Sequence, residues 1–230
     1  MNNAEITPKS IKVHIFENFG TDEKAANLRE GVMFNKLLSA LEIENSLFEI
    51  MDRNDAIAKI AVAGKTFSKY DINIIHWSGH GNLNGVRLSS GEKLIWEEFA
   101  ELFYSIAEHE REKMVLCLSS CEGAGASILE SMLPGRIYGH LIAPSRKIGW
   151  NEAAVAYTNF YYSILNQHLN IGDAVSWMNT SIFSNDSNVP FLYFNGKIQR
   201  MKYKSDIPVY KAMLKMIEKE YPSYINIYND

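Results

Sequence analysis

The chain has 230 residues, of which 47% are hydrophobic and 22% are charged, which is typical of a globular protein with one sizeable core. The 23 basic and 27 acidic residues give a net charge of -4, so nothing attracts the chain generally to phosphate backbones, and nucleic acid is not expected as a direct partner. No run approaches the length of a membrane helix and the first residues lack a signal-peptide pattern, so we expect a cytoplasmic protein without membrane contact.

Strand and helix periodicities alternate along the chain. In chain order they predict a strand at 9–16, a helix at 22–41, a strand at 46–50, a helix beginning at 52–55, a strand at 72–75, a hairpin of 85–88 with 92–94, a helix at 96–107, a strand at 114–118, a helix at 124–132, a strand at 136–142, helices at 151–168 and 171–178, a strand at 191–195 and a helix at 208–220. This alternation predicts an α/β fold, with a mostly parallel sheet covered by helices on both faces. We expect a single domain over 1–230, with a helical tail at about 205–230.

Two short stretches combine a strand pattern with a reactive side chain just beyond it. The first, 71–81, reads DINIIHWSGHG and places His80 near its end, and the second, 113–125, reads KMVLCLSSCEGAG and offers Cys121. Because parallel strands direct their carboxyl ends to one edge of a sheet, the two side chains can meet there although they are far apart in sequence. The pattern predicts a cysteine nucleophile with a histidine partner.

The residues around this pair favour the same chemistry. Small residues surround Cys121 and glycine follows His80, which leaves room for a substrate and lets main-chain N–H groups approach a developing oxyanion. His76 is a rival base, but we expect it to be buried against the sheet, and we place Cys117 in the core of its strand. The alternative is that Cys121 is a small buried hydrophobe and His80 an ordinary loop residue.

Other site types have weaker support in the sequence. The two cysteines lie four residues apart along one strand, which does not suit a disulfide, and no cluster of His and Cys has the spacing of zinc ligands. The glycines after Cys121 lack the Lys-Ser/Thr of a phosphate-binding loop, and Ser127 stands where a cysteine phosphatase would carry arginine. We expect no metal and no organic cofactor.

The motifs SGHG and LSSCEGAG resemble the His-Gly and Cys blocks of the caspase-like (clan CD) cysteine peptidases, especially the CHAT branch. The run APSRKIGWNEAAVAYTNFYYSILN, followed by IGDAVSWMN, is similar to the downstream part of a CHAT domain. The resemblance covers about 72–178 and implies a caspase-hemoglobinase-like fold. Within the cysteine block, Cys121 and Gly123 match the caspase signature, whereas Ser119 stands where metacaspase-like enzymes that cut after Arg or Lys carry an acid.

The resemblance also implies a function and a role for each residue. Cys121 would attack the scissile carbonyl, His80 would protonate the leaving amine, and the N–H groups of Gly81 and Cys121 would bind the oxyanion. The expected activity is that of an endopeptidase acting on a protein substrate, controlled by a separate sensor protein in bacterial stress or anti-phage defence. Two alternatives remain open: a catalytically silent interaction module, and a Cys-His hydrolase acting on a non-peptide acyl substrate.

Overall fold

The computed structural model describes residues 10–20, 29–132, 135–182 and 190–200. The predicted helix at 208–220, and with it the tail at about 205–230, lies outside these residues, as does the first part of the helix predicted at 22–41. No helix in the described part of the chain is long and apolar enough to cross a membrane.

A mostly parallel sheet forms the centre of the fold, so the predicted α/β class is confirmed. Its strands are β1 (Ile11–Asn18), β2 (Glu44–Glu49), β3 (Ile72–Asn82), β6 (Met114–Ser119), β7 (His140–Pro144) and β8 (Phe191–Asn195), in the spatial order β2-β1-β3-β6-β7-β8. The first five are parallel, and β8 closes the edge antiparallel to β7. The central strands are buried on both faces, as apolar runs such as Met114–Ser119 require.

Helices cover both faces of the sheet. They are α1 (Glu30–Ala40), α2 (Arg53–Gly64), α3 (Trp96–Glu101), α4 (Glu108–Arg111), α5 (Leu129–Met132), α6 (Trp150–Leu165) and α7 (Ile171–Ile182), with 3₁₀ turns at Phe67–Lys69 and Gly123–Ile128. One core cluster packs α1, α6 and α7 on one face, and a second packs α2 and α3 on the other. Because residues alternate between faces along a strand, His76 and Ser78 of β3 face α1 and α6 whereas Trp77 faces α3.

The hairpin predicted at 85–88 and 92–94 is present as β4 (Gly85–Arg87) and β5 (Lys93–Ile95). The hairpin pairs with the last residues of β3, which extend beyond the parallel part of the sheet. The end of β3, β4 and β5 together form a three-stranded antiparallel sheet. The prediction that β3 ends at residue 75 is therefore wrong. His80 lies inside this antiparallel extension rather than in a loop.

Other element boundaries also differ from the predicted ones. The strand predicted at 136–142 begins only at His140, and the preceding Gly139 passes so close to the backbone that a Cβ there would lie 2.1 Å from the carbonyl oxygen of Glu112. The helix predicted at 96–107 ends at Glu101 and continues as turns. The predicted helix start near Asp52 is confirmed, since the Asp52 side chain accepts a hydrogen bond from the Asp55 N–H and caps α2.

Candidate active site

His80 and Cys121 each lie two residues beyond the last pair of the parallel β3–β6 ladder. That last pair is Ser78 with Ser119; beyond it His80 pairs with Arg87 of β4, and Gly81 lies against Ser120. The side chains of His80 and Cys121 both contact the start of α6 and the residues just before it, His80 through Trp150 and Cys121 through Ile148. Both are partly exposed, in contrast to the residues that precede them in their strands. The two predicted residues therefore lie at the same carboxyl edge of the sheet, just beyond neighbouring strand positions.

A sharp turn follows Cys121. Glu122 adopts a left-handed backbone conformation with φ of 55°, and the 3₁₀ turn of Gly123–Ile128 begins directly after it. Non-glycine residues adopt this conformation at a cost of about 1–2 kcal/mol, so it persists where the surrounding structure enforces it. The N–H of Glu122 donates to the carbonyl of Arg146, which fixes the turn against the loop after β7. The turn leaves Cys121 projecting at the point where the chain changes direction.

The loop before α6 and the first residue of that helix contact the two members of the pair. The Cys121 thiol donates a hydrogen bond to the carbonyl oxygen of Ile148, with a sulfur to oxygen distance of 3.6 Å. Two residues further on, the indole of Trp150 lies 5.8 Å from the His80 ring, centroid to centroid. Phe19, at the end of β1, packs edge-on against both of these rings. The imidazole is thus held between two aromatic side chains, and the thiol faces the same loop.

Beneath the pair, a carboxyl group joins the two strands that carry it. Glu30, the first residue of α1, accepts hydrogen bonds from Ser78 and, at 2.8 Å, from Ser119. These serines are the register partners located two residues before His80 and Cys121, and all three side chains are buried. Glu30 therefore connects the ends of β3 and β6 at the level just below the candidate dyad.

His76 occupies a different position from His80. It is fully buried, its Nδ1 lies 2.8 Å from the hydroxyl of Tyr161, and its Nε2 lies 3.9 Å from Glu30. Burial raises the pKa of the Tyr161 hydroxyl well above its usual value, so that group stays protonated. The prediction that His76 is buried against the sheet is confirmed, and its surroundings exclude it from contact with a substrate.

Cys117 lies in the core, as predicted, whereas Cys121 is partly exposed, and both are free thiols. Burial raises the pKa of the Cys117 thiol well above its usual value, which makes this cysteine unreactive in the folded state. Of the two cysteines, Cys121 alone is positioned to act as a nucleophile.

Gly81, which is predicted to bind the oxyanion together with Cys121, lies where two backbone segments come close together. A Cβ at this position would be 2.8 Å from the Cβ of Ser120 and 3.2 Å from the carbonyl oxygen of Gly85, so no larger residue fits without a shift. The main chain of Gly81 thus borders the residue before Cys121 on one side and β4 on the other. Glycine is required here for close packing of the strand ends.

A cavity of about 450 Å³ opens beside His80. The end of β3 and the β4–β5 hairpin form its floor and walls, with Arg87 and Lys93 among the lining side chains. Within the described ranges, no group of three or more His, Cys, Asp or Glu side chains is arranged to hold a metal ion. The site therefore consists of a thiol, an imidazole, main-chain groups and an adjoining cavity with cationic side chains.

No model of a known protein family matches this chain, and a search of curated proteins finds no similar sequence. A function must therefore be argued from the geometry of the site, because one fold supports many activities.

Several residues of the site were not predicted from the sequence. Glu30 comes from a helix that starts 50 residues before His80, and its only sequence signal is an acid at the start of an apolar helical pattern. Ser78 could have been predicted from the sequence, because side chains two residues apart in a strand point to the same face and Ser78 lies two residues before His80. Trp150 is the first residue of a long helix and follows a glycine. It belongs to the run that resembles a CHAT domain, but no role in the site was predicted for it.

Proposed function

We propose that the protein is a cysteine endopeptidase of the CHAT or caspase-like type, with Cys121 as nucleophile and His80 as its acid-base partner. The observation that supports the proposal is the β3–β6 register, whose last pair, Ser78 and Ser119, precedes His80 and Cys121 by two residues each at the carboxyl edge of a parallel sheet. Substrates bind outside this edge in open α/β folds.

The proposed reaction begins with transfer of the thiol proton. The hydrogen that Cys121 donates to the Ile148 carbonyl passes to the His80 imidazole after rotation of the thiol. The sulfur then attacks the scissile carbonyl carbon, the C–N bond breaks, and His80 returns the proton to the leaving amine. Water hydrolyses the resulting thioester and regenerates the thiol. None of these reaction steps needs an electron donor or acceptor.

Main-chain groups next to the thiol support stabilisation of the oxyanion. We assign this role to the N–H groups of Gly81 and Cys121, which belong to neighbouring strand ends. Donors fixed by the backbone need no reorganisation during the reaction, and such groups account for a large part of catalysis in acyl transfer. The tight contact between Gly81 and Ser120 supports a rigid arrangement of these donors.

The proposal extends to the setting in which the enzyme acts. Two free cysteines suit a reducing compartment, so we place the enzyme in the cytoplasm. We further propose that a separate sensor protein controls it, as in bacterial stress or anti-phage defence. The hydrogen bond from the thiol to Ile148 supports such control, because displacing the loop before α6 would free the thiol.

Cleavage of a peptide library tests the proposed activity. Purified protein is incubated with peptides prepared from a whole proteome, and new amino termini are identified by mass spectrometry. We expect new termini with wild type and with Cys117→Ala, and none with Cys121→Ala. The matched cysteine variants separate loss of the nucleophile from general damage to the fold. Hydrolysis of thioesters or simple esters without any peptide cleavage would favour the non-peptide acyl hydrolase instead.

A further inference from the structure

A second cavity, of about 680 Å³, lies at the opposite end of the sheet from the candidate dyad. Residues at the start of the parallel strands line one side of it, among them Ile11 of β1, Ile72 of β3 and Val115 of β6. Val115 and Cys121 lie at opposite ends of β6, so more than about 13 Å separates them along that strand. The cavity is therefore separate from the site of the proposed peptidase.

The end of α6 and the start of α7 line the other side of the cavity. Ile164 and Leu165 belong to α6, Leu169 to the loop that joins the two helices, and Ile171 to α7. Most of the lining side chains are thus aliphatic, on the strand side as well as on the helix side. Small-molecule sites in proteins are typically concave and mainly apolar, with volumes of about 300–1,000 Å³, and this cavity has all three properties.

The described residues that line the cavity include no Asp, Glu, Lys or Arg. Burial lowers the pKa of His140, so its imidazole is uncharged at neutral pH, and the other lining histidine, His168, is exposed to solvent. The Asn170 side chain caps α7, because its Oδ1 accepts a hydrogen bond from the Asp173 N–H. An ionised group that entered the interior of this cavity would lose its hydration without meeting an opposite charge.

His140 and Tyr193 provide the cavity with one polar pair. The Nδ1 of His140 lies 2.9 Å from the Tyr193 hydroxyl, and the two rings are stacked with 5.8 Å between their centroids. The second ring nitrogen of His140, Nε2, has no hydrogen-bond partner among the described residues. This nitrogen donates when the hydroxyl gives its hydrogen to Nδ1, and it accepts when Nδ1 itself carries the hydrogen. It therefore suits a ligand hydroxyl, which can also donate or accept.

We propose that this cavity binds an uncharged, mainly apolar small molecule of the class of medium-chain alcohols, whose hydroxyl group hydrogen-bonds to His140. Burial of the hydrocarbon part against the aliphatic walls supplies the affinity, and the His140–Tyr193 pair fixes the orientation of the ligand. The proposal does not depend on the proposed peptidase function, because the ligand occupies the end of the sheet that lies away from Cys121.

The fluorescence of N-phenyl-1-naphthylamine, an uncharged dye that brightens in apolar surroundings, measures occupation of the cavity in the native protein. 1-Octanol and octanoate then compete with the dye at neutral pH; they have the same chain length, and only octanoate is charged. We expect saturable binding of one dye molecule, displacement by octanol, and an affinity for octanoate at least about 10-fold lower, because no cation compensates its carboxylate. No rise in fluorescence, the result if another part of the chain fills the cavity, or equal competition by octanoate, would overturn the proposal.

Substitutions that fill the cavity locate the bound dye. Leu169→Trp, on the helix side, and Ile11→Trp, on the strand side, should each abolish saturable dye binding. Leu83→Trp, the same substitution at an exposed residue outside the cavity, should leave dye binding unchanged. Urea denaturation verifies that each variant is folded, and the two cavity variants serve as replacements for each other. Full dye binding in a folded cavity variant would overturn the proposed site.

A further pair of variants tests the polar contact and the separation from the dyad. His140→Phe/Tyr193→Phe keeps both rings and removes their polar atoms, so the affinity for octanol should fall about 2- to 10-fold, as loss of one hydrogen bond predicts, while the affinity for toluene should not fall. An unchanged affinity for octanol would overturn the role of His140. Cys121→Ala should bind the dye as wild type does, and loss of dye binding in this variant would place the dye at the dyad and overturn the separate site.

Discussion

Replacing Glu30 with alanine should destabilise the protein strongly, because it removes the shared acceptor of two buried hydroxyl groups. Ser78 is fully buried and Ser119 is 2% exposed, and both donate to Glu30. An unsatisfied buried polar group costs about 1–3 kcal/mol, so two of them predict a loss of about 2–5 kcal/mol in the free energy of unfolding. Urea denaturation followed by tryptophan fluorescence measures this difference.

A second variant isolates the hydrogen bonds from other effects of the mutation. In Glu30→Ala/Ser78→Ala/Ser119→Ala the orphaned hydroxyls are gone as well, and removing both partners of a buried hydrogen bond is far less costly than removing one. The triple variant should therefore be more stable than Glu30→Ala alone. Glu30→Gln, which keeps one carbonyl acceptor, should fall between wild type and Glu30→Ala. A loss below about 1 kcal/mol in Glu30→Ala, or a triple variant no more stable than the single one, would refute this reasoning.

Three further predictions follow from the same geometry. Iodoacetamide should modify Cys121 in the native protein and Cys117 only after unfolding. Peptide mapping with and without urea measures which cysteine is modified. Modification of Cys117 in the native protein would contradict the burial of its strand. Glu122→Gly should raise the free energy of unfolding by up to about 1 kcal/mol, because glycine adopts a positive φ without strain. The β-branched variant Glu122→Val should lower the free energy of unfolding. If urea denaturation gave the reverse order of stability, backbone strain at this turn would be excluded. His14 is buried, and its desolvation together with the nearby Lys12 charge lowers its pKa from 6.5 to about 4. Between these two pH values the unfolded state binds a proton that the native state does not bind. The free energy of unfolding therefore falls as the pH drops through this window. The advantage of wild type over His14→Gln should therefore shrink by about 2–3 kcal/mol between pH 7.5 and pH 4.5 in urea titrations, and an unchanged difference would show that His14 titrates normally.

Local patterns in the sequence were sufficient to predict the mostly parallel sheet, although they placed His80 beyond the end of β3 rather than inside its extension. The apolar runs before His80 and Cys121 mark neighbouring buried strands, and parallel strands end at one edge. Burial of His76 and Cys117 followed from the same runs. The antiparallel direction of β8 could not be predicted, because an apolar run such as Phe191–Asn195 reads alike in either direction.

The supporting residues of the site depend on contacts between distant parts of the chain. Glu30 meets Ser78 across 48 residues and Ser119 across 89 residues, and no periodicity encodes such a contact. The extension of β3 was missed for a related reason: the stretch after Trp77 is rich in small residues and carries a turn signal, yet pairing with β4 holds it in the sheet. The pairing of His80 with Arg87, and of Arg87 with Lys93, became visible only with the register of that hairpin.

The most direct test of the dyad is labelling of Cys121 by peptidyl acyloxymethyl ketones across a panel of residues at the cleavage position. Such a ketone binds as a peptide and is attacked by an activated thiol. We expect an adduct at Cys121 in wild type, none in Cys121→Ala, and a rate reduced by about 100-fold or more in His80→Ala, as loss of an acid-base partner predicts. Labelling that proceeds equally well without His80, or no adduct with any probe, would contradict the assignment of Cys121 and His80 as a catalytic pair.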